Sequence, residues 1–313
     1  MGMIIILLQY TLLFASVLSL VALGGCFSEH SGVINLGLEG IMVMGALGGA
    51  LAFMMMGDAP AFLTVLVVLI VAVAVGVLYS TLLGIAAIKL KADQTLIGTA
   101  MNMLGTAAAT VIAKSINLAR NPDSPSSEIG YPGRKSFLFV EGYEFNWFMV
   151  IAVLALVAAY IVLYKTRFGL RLMACGEHPQ AADSVGINVY KMRWAGVLIS
   201  GGLGGLGGIC YITAGVSSWK FEVGVAGFGF LALAVMIFGQ WKPSRIALAA
   251  LLFGFFRALS NVNSGFDFLK NLNIPNGVYN MLPYLISLIV LAFTSKQSRA
   301  PKAEGIPYDK GMR

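Results

Sequence analysis

Residues 61–90 read AFLTVLVVLIVAVAVGVLYSTLLGIAAIKL, an apolar run with no charged side chain before Lys89. A hydrocarbon core about 30 Å thick needs about 20 helical residues, so this run crosses it with length left over for tilt. Only helices and closed barrels satisfy their backbone inside lipid. A barrel strand would alternate lipid-facing and inward-facing positions over about 10 residues, whereas this run is continuous. It is a transmembrane helix.

The same pattern recurs along the chain. Apolar spans are expected at 4–26, 34–56, 61–90, 95–114, 146–164, 194–214, 227–240, 246–262 and 281–295. The seventh is too short to cross without its flanks. The second opens among Gly32, Gly37 and Gly40, which marks it as broken or re-entrant. Hydrophobic residues make up 58% of the 313 and charged ones 11%, against about 25% charged in a soluble domain. The fold class is therefore all-α, a polytopic integral membrane protein of about 8–10 transmembrane helices. The first span lacks a basic leader, so no cleavable signal peptide is expected. Leu23-Gly24-Gly25-Cys26 resembles a lipobox only by chance.

A net charge of +7 does not imply nucleic acid, because the basic residues sit in a few loops rather than on one docking face. Lysine and arginine concentrate on the cytoplasmic side of membrane proteins. In 165–193, Lys165, Arg167, Arg171, Lys191 and Arg193 outnumber Glu177 and Asp183. In the tail 296–313, Lys296, Arg299, Lys302, Lys310 and Arg313 outnumber Glu304 and Asp309. With Lys89, Lys91, Lys242 and Arg245 in two short turns, these regions are expected in the cytoplasm. Segment 115–145 is more acidic than basic, carries the turn signal Asn121-Pro122-Asp123-Ser124-Pro125, and is expected outside. Residues 1–295 thus form a transmembrane domain, followed by a basic cytoplasmic tail at 296–313. Nine crossings put the N-terminus outside; a re-entrant second span puts it inside. Cys26, Cys175 and Cys210 form neither a disulfide framework nor a metal pattern, and His30 and His178 add no site.

Four motifs stand out. In Gly176–Ile187, Pro179 suits the first turn of a helix and Gly186 the left-handed residue after its end, giving a short stiff helix between two spans. In Asn35-Leu36-Gly37-Leu38-Glu39-Gly40, Asn35 is a competent N-cap and Glu39 sits favourably at the positive helix end. Glu39 is also the one strong candidate for a buried ionisable group, and it reads equally as a solute contact or as a helix cap. Asn102, with Gln94, Thr99 and Thr106, gives the fourth span a polar stripe that serves either a solute or helix association. Around the packing glycines Gly201, Gly204, Gly205 and Gly208, the run Gly202-Leu203-Gly204-Gly205-Leu206-Gly207 is a literal G-x-G-x-x-G, yet no strand precedes it. The spacings 201/205 and 204/208 are those of G-x-x-x-G helix packing. Gly224–Trp241 faintly echoes Val33–Ala50, as internal transporter repeats do. No G-x-x-x-x-G-K-[ST] occurs, so the chain cannot itself cradle ATP phosphates.

Lys165-Thr166-Arg167-Phe168-Gly169-Leu170-Arg171, followed by Gly176–Ile187, resembles the cytoplasmic coupling segment of ATP-binding-cassette (ABC) importer permeases for simple sugars, branched-chain amino acids and nucleosides. Phe27–Gly40, Lys91-Ala92-Asp93-Gln94, Phe230–Ala234 with Ile237-Phe238-Gly239, and Gly305-Ile306-Pro307-Tyr308 resemble the nucleoside branch. The resemblance implies a multi-pass, non-enzymatic transport subunit of a bacterial-type cytoplasmic membrane, with no cofactor of its own. It implies a second homologous permease chain, a cytoplasmic ATPase that uses ATP, and an extracytoplasmic (lipoprotein or periplasmic) binding protein. Gly176, Glu177, Pro179, Ala182, Asp183 and Gly186 would couple to the ATPase, and Asn35, Glu39 and Asn102 would lie on the solute path. The solute would be a nucleoside, a purine one first, with a simple sugar as the alternative. An ion-coupled transporter would need several buried ionisable pairs, and a membrane enzyme a constellation of catalytic groups; neither set is evident.

Overall fold

The computed structural model describes residues 2–57, 59–123, 125–131, 137–138, 145–214, 216–262, 265, 276–294 and 299–311. Arg134, Lys135, Glu141 and Glu144 of the expected outer loop lie outside them, as do Lys296 and Arg313. Eleven α-helices are described: α1 (Gly2–His30), α2 (Leu38–Met56), α3 (Ala61–Gly84), α4 (Gln94–Arg120), α5 (Trp147–Lys165), α6 (Arg167–Glu177), α7 (Pro179–Ser184), α8 (Val189–Ile212), α9 (Phe228–Phe238), α10 (Pro243–Val262) and α11 (Asn276–Thr294). α3 runs on into a π-helical turn, Ile85–Lys89. Two short strands, β1 (Glu128–Gly130) and β2 (Ser218–Lys220), pair antiparallel with Ile129 opposite Trp219.

Seven helices are long and apolar enough to cross a membrane: α1, α2, α3 with its π turn, α4, α5, α8 and α10. α9 and part of α11 are shorter apolar helices, so each expected span has a helical counterpart. At 1.5 Å per residue, the 11 residues of α9 reach about 16 Å, half a bilayer.

α8 is the central helix, with α1 on one side and α2 and α3 on the others. In lipid there is no hydrophobic drive between helices, so close van der Waals contact must supply it. The two glycine pairs divide this work. A Cβ on Gly201 or Gly205 would overlap Ser80 or the Ala72 carbonyl of α3, while on Gly204 or Gly208 it would meet Ile41 or the Met42 carbonyl of α2. One helix thereby carries two close seams on adjacent faces.

The basic regions gather at one end of the bundle. Lys91 pairs with Asp309 at 2.6 Å, Ala303 N–H donates to the Gly176 carbonyl at 2.8 Å and Gly305 N–H to that of Gly32 at 3.3 Å. His30 Nε2 meets the Trp241 carbonyl at 3.0 Å. The β1–β2 pair and the Lys114–Glu222 ion pair (2.6 Å) lie at the other end.

One expectation is corrected. Asn35 does not cap α2, whose N-cap is Gly37 without a side-chain bond. Its amide is used in the turn before the helix, with Oδ1 accepting from Gly37 N–H at 3.1 Å and Nδ2 donating to Ser200 Oγ at 2.8 Å. The short helix expected within 176–187 is α7, which starts at Pro179 and ends at Ser184, with Gly186 left-handed beyond it. His178, just before Pro179, is extended (φ −145°), because proline disfavours the helical region for its predecessor, and α6 therefore ends before α7 begins.

Candidate functional site

After α1 the chain turns back into the bundle through non-helical residues 31–37, with Ser31, Val33 and Asn35 fully buried. Irregular backbone at such depth must find partners within the protein. α4 supplies them. Gln94 Oε1 accepts from Ile34 N–H at 2.7 Å; Asn102 Nδ2 donates to the Leu36 carbonyl at 2.8 Å, and its Oδ1 accepts from Gly40 N–H at 2.8 Å. The polar stripe on α4 thus replaces the helix hydrogen bonds that the break removes. Asp93 starts α4 by accepting from Leu96 N–H at 2.8 Å.

α9 begins at a second break. Gly224, Ala226 and Gly227 have φ of +63°, +52° and +80°, which reverses the chain. The first amides of α9 then point at α2, where Glu39 Oε1 accepts from Gly227 N–H at 2.8 Å and Oε2 from Gly229 N–H at 2.6 Å. Glu39 lies in the first turn of its own helix. The positive ends of two helix dipoles therefore meet on one carboxylate, the favourable sign for a buried anion. From this point α2 runs toward the β1–β2 end and α9 toward the basic end. Broken, oppositely directed helices meeting inside the membrane are a recurring transporter device. The glycine echo between the two segments marks the same pair.

Around the junction stand side chains that the sequence reading passed over. Arg257 of α10 lies over the Phe228 ring at 5.3 Å and the Phe14 ring at 5.9 Å. Its Nε is buried with no hydrogen-bond partner among the described residues. The Tyr211 ring lies 4.3 Å from that of Phe228, tilted at 41°, and Tyr284 Oη donates to the Ala226 carbonyl at 2.8 Å. Glu39 is thus not the only buried ionisable group: Glu29 and Arg193 are buried too. An arginine inside the apolar span 246–262 was the available signal, since a charge within a spanning segment is costly.

Asn35, Glu39 and Asn102 converge on the start of α2, and each side chain holds protein groups there. The junction gathers aromatic rings, phenolic hydroxyls and a cation, while both oxygens of the one carboxylate are already engaged.

At the basic end, Thr166 Oγ1 accepts from Gly169 N–H at 3.2 Å and starts α6. Gly176, Pro179 and Ala182 face inward, while Glu177, Gln180, Ala181 and Gly186 are exposed and Asp183 is half-buried. Gly186 is left-handed (φ +83°), and Ile187 N–H donates to the Ala182 carbonyl at 3.0 Å, the bond that closes a Schellman motif. Lys310 Nζ lies 3.9 Å from Asp183.

Residues 7–291 match the family described as the branched-chain amino acid transport system / permease component. The chain is a permease of that family. It is 40% identical to the guanosine ABC transporter permease protein NupQ of Bacillus subtilis, over 98% of each chain. With the nucleoside ABC transporter permease protein NupC of Lactococcus lactis the permease shares 37% identity over 97% of each. A putative glucose ABC transporter permease of Haloferax volcanii is 31% identical over 92% of this permease and 91% of its own length. No solved structure matches the permease. It is a multi-pass protein of the cytoplasmic membrane and a transport subunit rather than an enzyme.

Proposed function

We propose that this permease is the membrane subunit of an ATP-driven nucleoside importer. The observation that carries the reading is its near full-length similarity to permeases named for guanosine and for nucleosides. The site chemistry supports it. A nucleoside is neutral, with a flat base and ribose hydroxyls, and the junction gathers Tyr211, Tyr284 and Arg257 around a carboxylate whose two oxygens are already engaged. Simple sugars are the second reading, favoured by the glucose permease relative. The partners are a second homologous permease chain, a cytoplasmic ATPase that binds the ATP, and an extracytoplasmic binding protein that delivers solute.

Residues 165–193 and the tail face the cytoplasm and 115–145 the outside in this reading. ATPase closure presses on α7, and only residues 185–188 separate α7 from α8. α8 grips α2 and α3 through its glycine seams and carries Tyr211 into the junction at its far end. A push on α7 therefore reaches the Glu39 junction through one rigid element and biases it between two discrete states.

Gly186→Val tests the coupling. A β-branched residue is a poor occupant of φ +83°, and since Gly186 has open space around it, the damage is to the α7 exit rather than to the core. The variant is expected to reach the membrane in normal amount while losing ATP-dependent uptake and copurification of the ATPase together. Wild-type uptake in that variant would contradict the assignment.

A further inference from the structure

Asn35, Glu39 and Asn102 are engaged with protein groups, so a solute crossing beside this chain meets other side chains first. α4 shows which. Like α3 and α5 it buries only a minor part of its length, yet it is markedly less apolar than either. α3 and α5 turn residues such as Leu66, Ile70, Val153 and Leu154 outward, the composition that suits lipid. α4 instead carries Thr95, Thr99, Thr106, Thr110 and Lys114, which at 3.6 residues per turn lie within about 100° of one another. Thr95 and Thr99 are exposed; Thr106, Thr110 and Lys114 are half-buried. This face runs from the basic end of the bundle, where Asp93 starts the helix, to the opposite end, where Lys114 pairs with Glu222.

The chain reversal before α9 falls on the same face. It lies deep in the bundle, since the Phe228 ring that follows it is 5.6 Å from that of Phe14, near the middle of the 29-residue α1. Yet Ala226 is exposed and Gly227 only half-buried. Irregular backbone at membrane depth is tolerated where it lines a water-filled cavity or is covered by protein, not against lipid. Two hydroxyls flank this turn. A Cβ on Gly224 would lie 3.5 Å from Thr106 Oγ1, and one on Gly227 3.2 Å from Tyr284 Oη. Successive Cα atoms about 3.8 Å apart put the two glycines within about 11 Å of each other, the scale of one small solute.

These hydroxyls share a chemistry. Thr99 Oγ1 donates to the Leu96 carbonyl at 2.9 Å, Thr106 Oγ1 to that of Asn102 at 3.2 Å and Thr110 Oγ1 to that of Thr106 at 2.8 Å. Tyr284 Oη donates to Ala226. Each proton is used inside the protein, so each oxygen has lone pairs left to offer. A face of acceptors suits a neutral solute rich in donors, such as ribose hydroxyls and base amines, and disfavours a carboxylate.

We propose that the threonine face of α4 and the exposed turn 224–227 form this chain's wall of the solute path, with Thr106 and Tyr284 accepting hydrogen bonds from the solute at its midpoint. The proposal rests on the importer reading and gives its path residues. Solute and water occupy this face, not lipid and not the second permease chain.

Single cysteines at Thr99, Thr106 and Thr110 test this, because Cys26, Cys175 and Cys210 are buried and give a low background. Right-side-out and inverted membrane vesicles, from cells that make the whole transporter, open both ends of the path to a charged methanethiosulfonate reagent. A thiol reacts as its thiolate, which forms in water and not in lipid. Thr99→Cys, Thr106→Cys and Thr110→Cys are expected to react at least about tenfold faster than Leu104→Cys and Val111→Cys, exposed on the other side of the helix. Guanosine or ribose, whichever the vesicles take up, is expected to slow the Thr106→Cys reaction severalfold during ATP turnover. Threonine positions as inert as Leu104→Cys, or a Thr106→Cys rate that solute leaves unchanged, would overturn the proposal. So would positions that react only in permease purified away from its partners, since the second permease chain would then cover the face. Failure of the ATP-driven reading would show instead as uptake that ignores ATP depletion while the threonine positions still react.

Discussion

Glu39→Ala is expected to abolish uptake and to lower the thermal stability of the purified permease at the same time. The substitution leaves the Gly227 and Gly229 amides, bonded at 2.8 and 2.6 Å in the wild type, without an acceptor in a dry junction. Each buried unpaired donor costs about 1–3 kcal/mol, so the loss is about 2–6 kcal/mol for the pair. Glu39→Gln keeps one carbonyl acceptor but turns the other oxygen into a donor facing a donor and removes the charge between two helix dipoles. It is expected to lose about half of that stability and at least tenfold in uptake per folded molecule. Thermal unfolding in detergent, read beside uptake normalised to folded protein, separates the two effects. A glutamine variant with wild-type uptake would show that the carboxylate is only a cap.

Gly208→Val should have a comparable effect on folding. The added Cβ would fall on the Met42 carbonyl, a backbone atom of α2 that cannot swing aside. Overpacking usually costs about 1–3 kcal/mol and more where neighbours cannot move, so about 3 kcal/mol or more is expected, with little folded protein recovered. Gly202→Ala on the same helix is the control. Its Cβ would meet Val73 Cγ1 at 3.4 Å, an ordinary contact, and normal yield is expected. Equal yields from the two variants would mean that the α2–α8 seam is not as close as described.

The parts of this molecule that are local in sequence were legible there. The run 61–90 declared its helix by length and hydropathy, and the spacings 201/205 and 204/208 announced two seams, though not which helix each would meet. Pro179 and Gly186 marked the start of α7 and the left-handed exit after it, because proline and glycine act on their own backbone. What sequence could not supply was pairing across distance. Glu39 caps a helix that begins almost two hundred residues later, so its role was read as an even choice between capping its own helix and meeting solute. Asn102 carries amide chemistry suited to a ribose, yet it is spent on the Leu36 and Gly40 backbone because a break 62 to 66 residues away needs it. Arg257 was visible as a charge within an apolar span, but only the fold sets it between Phe14 and Phe228.

The most direct test of the central claim is uptake of radiolabelled guanosine, adenosine, uridine and ribose in cells with and without the gene for this permease. The expected result is nucleoside uptake that requires the gene, collapses on ATP depletion and survives dissipation of the proton gradient. Gene-dependent uptake of ribose alone would contradict the nucleoside reading and leave a sugar permease. Uptake that persists without ATP and collapses with the proton gradient would contradict the ATP-driven account as a whole.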